Sequence, residues 1–165
     1  MSEQIEQDGA LILALESPLT DDLELLFQRH TLDMHADTPP ESIHMMPRED
    51  LVHPDIAFFV LRDGGRAVGM GAIKRLGPDH GEVKSMHVLI EERGRGLARI
   101  VVERMIDHAR RSGFARLSLE TGSQPMFLPA RKLYERVGFV ECGPFGSYRL
   151  DPNSVYMTLS LSRAA

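Results

Sequence analysis

A chain of 165 residues with 42% hydrophobic and 26% charged side chains can bury one full core, which excludes a disordered chain. Its formal net charge of −5 argues against a nucleic-acid partner, which needs a concentrated basic face. One cysteine, Cys142, excludes an internal disulfide, and no apolar run approaches the roughly 18 residues of a spanning helix. The first six residues are acidic and carry no signal-peptide core, so a soluble cytoplasmic protein without a membrane partner is expected.

Residues 1–8 are polar and read as a loose terminus of a single domain spanning 1–165. Residues 10–15 are continuously apolar and short, as in a buried strand, and Pro18 stops them. Thr20 suits a helix N-cap, with Asp21 and Asp22 at the positive end of the dipole and Leu23, Leu26, Phe27 and His30 on one face. From Asp33 to Pro54 periodicity is lost apart from an expected short helix at 41–46, and so long an irregular stretch in a compact domain is often functional. Strands follow at 56–61 and 66–76 around the hairpin turn Asp63-Gly64-Gly65, and at 81–89 after Gly77-Pro78-Asp79. Arg93-Gly94-Arg95-Gly96 leads into an amphipathic helix to about Arg111, with Leu97, Ile100, Val101, Met105 and Ala109 in line and Gly113 as its stop. A strand at 115–120, a helix opened by Pro129 and closed by Gly138, and strands at 139–142 and 154–161 complete the chain. This order predicts an α/β (α+β) fold: a mixed, mostly antiparallel sheet of about seven strands with helices on both faces.

A strand that enters a Gly-rich turn and then a helix leaves backbone N–H groups unpaired, and with the helix dipole they form an anion site. Gly94 and Gly96 allow close approach, while Arg93, Arg95 and Arg99 add positive charge. Alone, the run suits a solvated basic turn equally well. Its glycine spacing is not that of a dinucleotide fingerprint. The histidines show no metal-like spacing, and Cys142 has no cationic neighbour to activate it, so neither a metal nor a thiol nucleophile is expected.

Arg93-x-x-Gly96-x-Ala98 at the start of a long helix resembles the acetyl-CoA signature of the GNAT superfamily of acetyltransferases. Ala130-x-x-Leu133-Tyr134-x-x-x-Gly138-Phe139 resembles the family's second motif at the expected distance, and with the strand order the likeness covers about residues 10–161. It implies that the amides of Arg93, Gly94, Arg95, Gly96, Leu97 and Ala98 hold the pyrophosphate of coenzyme A, helped by Arg99. It also implies that the run Met86-His87-Val88 lies along the pantetheine arm, Met86 and Val88 through their backbone, with the Met86 amide polarising the thioester carbonyl. Tyr134 matches the tyrosine that protonates the departing thiolate, a task that suits a phenol of ordinary pKa roughly 10.

An acceptor amine needs a base to remove its proton. Glu82, eleven residues before Arg93, is the first candidate, and Glu120, facing away from Leu117 and Leu119, is the second; a solvated strand position suits either one equally. On a regular strand Glu82 and His87 face opposite sides, unless a bulge intervenes. Where many family members carry an asparagine before the second motif, this chain has Phe127 in a proline-rich stretch, so a remodelled helix start is expected. The tail 142–156 resembles a subgroup of small bacterial GNAT proteins. In that fold the loop between the last two strands borders the acceptor pocket, so Phe145, Tyr148 and Ser154, together with residues from His30 to Met46, are expected to shape it; a rigid Gly/Pro turn is the plain alternative. The resemblance thus implies transfer of acetyl from acetyl-CoA to a primary amine, preferably of a small molecule, by direct attack in a ternary complex. The alternatives are a protein or peptide acceptor, or an acyl-CoA-binding sensor without turnover. Pairing of C-terminal strands into a homodimer is also implied.

Overall fold

A computed structural model describes residues 5–7 and 11–161. Its elements in chain order are β1 (Ile5–Gln7), β2 (Leu11–Leu15), α1 (Glu24–Ala36), β3 (Ile56–Asp63), β4 (Arg66–Arg75), β5 (His80–Val88), α2 (Leu97–Arg111), β6 (Arg116–Gly122), α3 (Leu128–Arg136), β7 (Val140–Cys142) and β8 (Ser154–Ser160). They form one mixed sheet in the order β1-β2-β3-β4-β5-β6-β8-β7, in which only β5 and β6 run parallel. The strand beyond the expected seven is β1: within the stretch read as a loose terminus, Ile5–Gln7 pairs antiparallel with β2. Ala10, placed in the first strand by its apolar character, lies outside the described residues.

The hairpin between β3 and β4 turns on Gly64 and Gly65, both at positive φ, the conformation a two-residue hairpin turn requires. Helix α1 is preceded by a 3-10 turn at Asp21–Leu23, and Thr20 does not cap it. The Thr20 hydroxyl donates back to the Ser17 carbonyl at 2.7 Å, which removes it from the helix amides. The short helix expected at 41–46 is absent. A 3-10 turn at Pro40–Ser42 takes up its start and another at Arg48–Leu51 follows it, each opening where a proline fixes φ without a donor.

Both faces of the sheet are covered. On one, Leu23 and Leu26 beside and within α1 meet Phe58, Val60, Met70 and Ala72 of the central strands. On the other, Val101, Met105 and Ala109 of α2 and Tyr134 of α3 meet Phe59, Ile73, Val83, Leu117 and Leu119. Side chains such as Met105 and Leu117 are fully shielded, so each contributes about 1.5–3 kcal/mol by burial.

Two irregularities position the site. The pairing of β5 with β6 ends at Val83↔Leu119, after which β5 stays with β4 and β6 stays with β8, so the parallel strands part. Beside this gap β5 carries a bulge, where the register jumps from Ala72↔Lys84 to Met70↔His87 and Ser85 adopts φ 56°. The extra residue reverses the alternation. Glu82, Lys84 and His87 therefore share the face covered by α1, while Met86 packs on the α2 side. Gly71 lies across from the bulge; a Cβ there would stand 2.6 Å from the Met105 sulfur and 2.7 Å from that of Met86. The strained serine and the side-chain-free position opposite it are two halves of one device.

Candidate active site

The glycine turn that opens α2 has the form of an anion cradle. Gly94 and Gly96 sit at φ 89° and 73°, in the left-handed region that disfavours other residues. The first backbone bond of the helix runs from Ile100 N to Gly96 O, so the amides of residues 94–99 have no backbone acceptor among the described residues, whereas the Arg93 amide, expected among them, donates to the Ile90 carbonyl at 3.2 Å. Added Cβ atoms at Gly94 or Gly96 would meet nothing within 4 Å, so the backbone there is open to an approaching group. The arginines do not stand free around it. Arg93 reaches Asp33 on α1 at 3.4 Å, Arg95 bridges Asp63 and Glu92 at 2.8 and 2.7 Å, and Arg99 pairs with Glu103. The expected surplus of positive charge is thus largely neutralised, and backbone amides carry the site.

From the gap between β5 and β6 a cleft opens that is lined by both faces of the sheet. Tyr134 enters from the side of α2 and α3, Glu82 and Lys84 from the side of α1. Glu82 is 5% exposed, and both of its donors use one oxygen: the Tyr148 hydroxyl at 2.5 Å and Lys84 Nζ at 3.2 Å bond Oε2. No described residue hydrogen-bonds Oε1. Lys84 also donates to Tyr148 Oη at 3.3 Å and to the His44 carbonyl at 3.4 Å. Tyr148 meets the His44 ring edge-on at 5.0 Å, and Asn153 bonds the Ser42 hydroxyl at 3.3 Å, so the loop between β7 and β8 joins the segment after α1 across the cleft.

Burial raises the Tyr134 phenol above its ordinary pKa, so it keeps its proton. Burial, then the charge and hydrogen bond of Glu82, does the same to Tyr148. Glu120 is also raised, first by burial, against the pull of the Ser154 hydroxyl and the charges of His44 and Lys84. His30 and His87 meet edge-on at 5.4 Å beneath α1, and burial pushes each down to about 4.

Against known proteins, the model of the acetyltransferase (GNAT) family matches residues 21–139. YsnE of Bacillus subtilis strain 168, described as an uncharacterized N-acetyltransferase, is 46% identical over 136 residues, covering 82% of this chain and 90% of that protein. This chain belongs to the GNAT acetyltransferase family. The IAA acetyltransferase of Azospirillum brasilense is 40% identical over 149 residues, covering 88% of this chain and 94% of its own. A solved structure of a candidate acyl-CoA N-acyltransferase from Klebsiella pneumoniae subsp. pneumoniae MGH 78578 superposes with a TM-score of 0.70 at 26% identity, over 91% of this chain and 97% of the other. The protein is an N-acetyltransferase that uses acetyl-CoA.

For a GNAT enzyme the cradle at residues 94–99 fits the diphosphate of coenzyme A, since its amides are unpaired and its approach is open. The structure brings Tyr134, Met86, Glu82, Glu120 and Tyr148 together around one cleft. It separates others. The His87 side chain is turned by the bulge onto His30 and lies 3.9 Å from Asp33, leaving only its backbone for a cofactor, and Val88 pairs with Gly69 with its side chain in the core. Phe145 stands behind the cleft, packed on Tyr148 at 5.0 Å and on Tyr156 at 6.0 Å, and Ser154 sits beside Glu120 rather than in the lining. Phe127, in the place of the family's asparagine, does line the cleft; its ring fills the space over Gly122, where a Cβ would come within 2.2 Å of it. Lys84 was not singled out from the sequence, and His44 was covered only as part of the stretch from His30 to Met46. The alternation Glu82-x-Lys84 on a strand was the available signal for the first; nothing local marks His44.

Proposed function

We propose that the protein acetylates a primary amine of a small molecule by direct attack in a ternary complex, with Glu82 as general base and Tyr134 as general acid. The observation that carries this reading is their placement: a carboxylate with one free oxygen and a protonated phenol line one cleft from opposite faces of the parted strands. Acetyl-CoA supplies an activated acetyl thioester. Glu82 Oε1 accepts the proton of the acceptor ammonium, with Tyr148 and Lys84 holding the carboxylate by its other oxygen. As the new N–C bond forms and the C–S bond breaks, Tyr134 gives its proton to the departing sulfur, and the second proton lost by the attacking nitrogen restores the phenol through solvent. The amides at 94–99 fix the diphosphate, and the bulge at Ser85 aims β5 backbone into the gap.

A small acceptor is favoured because the β7–β8 loop and the segment after α1 meet across the cleft, leaving little of the open groove that a polypeptide needs. The relative named IAA acetyltransferase supports the same choice. Among the described residues no helix is long and apolar enough to cross a membrane, and with its single free cysteine we place the enzyme in the cytoplasm. Release of free thiol from acetyl-CoA with a panel of small amines tests the reading. Turnover that is lost in Glu82→Gln supports it, whereas acetyl-CoA binding without turnover on any amine would favour a sensor.

A further inference from the structure

The cleft holds more negative charge than the transfer chemistry uses. Two carboxylates, Glu82 and Glu120, face a single lysine in its lining, and Lys84 is already committed to Glu82 at 3.2 Å. Glu120 makes no ion pair among the described residues. It stands on β6 one residue beyond Leu119, the last residue paired with β5, and on the same sheet face as Ser118, the cross-strand neighbour of Glu82. Both carboxylates therefore look into the same side of the cleft, two strand positions apart, or about 6.6 Å along the strand axis. A half-buried carboxylate without an ion-pair partner is costly, and a cationic ligand relieves that cost. Around them Met34, Met45 and Met46 supply a flexible apolar wall suited to an aliphatic chain.

Resting on the proposed acetyltransfer over Glu82, we infer that Glu120 is a specificity residue: it binds the second ammonium of a short aliphatic diamine whose first amino group is acetylated. An acceptor ending in a carboxylate is disfavoured by the same arrangement, because it would meet Glu120 as a like charge while Lys84 is occupied. Burial raises the affinity of Glu120 for a proton, and the charges of His44 and Lys84 offset this only in part. Glu120 is poorly suited to be a second base, since neither donor that orients Glu82 reaches it.

The experiment compares kcat and KM for three four-carbon amines, putrescine, n-butylamine and γ-aminobutyrate, on the wild type, Glu120→Gln and Glu120→Asp. The wild type is expected to prefer putrescine over n-butylamine by about tenfold or more in kcat/KM, with γ-aminobutyrate the poorest. Glu120→Gln should bring the putrescine to n-butylamine ratio to about one, through KM rather than kcat, and Glu120→Asp should restore part of it. Equal use of putrescine and n-butylamine by the wild type overturns the inference and leaves the acetyltransfer reading standing. A Glu120→Gln variant that loses kcat alike on both amines overturns it too, in favour of a base. No turnover on any amine by an enzyme that still binds acetyl-CoA would overturn the acetyltransfer reading and this inference together.

Discussion

The pyrophosphate turn and the acceptor cleft sit on the same strand–helix unit, yet they are made of different things. The turn offers six consecutive unpaired backbone amides; its arginines are turned aside to Asp33, Asp63, Glu92 and Glu103. The cleft is made of side chains delivered by α1, the loop after it, β5, β6, α3 and the loop before β8. A backbone site tolerates changes of side chain as long as its φ angles survive. A side-chain site fails with single atoms. That contrast separates donor binding from acceptor chemistry, and substitutions test the separation.

The largest effect is expected at the base. Glu82→Gln keeps the shape and should lower kcat by about 10²–10³-fold with acetyl-CoA affinity unchanged, read by thiol release and by equilibrium dialysis of the cofactor. A parallel loss of cofactor affinity would break the separation. Tyr134→Phe removes only the proton donor and should cost roughly 10–100-fold in kcat, again without weakening the cofactor. If affinity falls instead, Tyr134 is a packing residue against Phe139. On the donor side, Gly96→Val forces a β-branched residue to φ 73°, at a strain of order 1–3 kcal/mol, and should raise the KM for acetyl-CoA about tenfold while kcat at saturation changes little.

The last effect is on stability rather than turnover and concerns the seam between the two regions, where Asp33 lies 3.4 Å from Arg93 and 3.9 Å from His87. His30 and His87 are each pushed down to about 4, chiefly by burial, whereas unfolded histidine titrates near 6.5. Above pH 6.5 both states are neutral and the stability is fully present. As pH falls from 6.5 through 4 the unfolded chain takes up protons first, so stability is lost over that window, by up to about 3 kcal/mol for each histidine. Thermal melts across that range should show Tm falling, and His30→Gln should make the slope shallower.

The same contrast explains what could be read in advance. Gly94 and Gly96 before an amphipathic helix, and the hairpin at Gly64-Gly65, are local signals, because turn chemistry and periodicity act over neighbouring residues. The shared face of Glu82 and His87 was not legible, because a regular alternation puts them on opposite sides and only the Ser85 bulge reverses it. Tyr148 was anticipated as part of the pocket, but its bond to Glu82 joins residues 66 apart and depends on how the β7–β8 loop crosses the sheet. The Thr20 cap failed for a local reason, the competing Ser17 carbonyl, which propensity alone does not weigh.

We place donor and acceptor in the gap between β5 and β6, with Tyr134 on one face and Glu82 on the other. A crystal structure with a non-hydrolysable acetyl-CoA analogue tests it most directly. The account predicts the diphosphate on the amides of residues 94–99, the sulfur position within hydrogen-bond reach of the Tyr134 hydroxyl, and the acetyl carbon facing Glu82 Oε1. An acetyl group lying away from the gap, with Glu82 shielded from it by the Lys84 and Tyr148 side chains, would contradict the account.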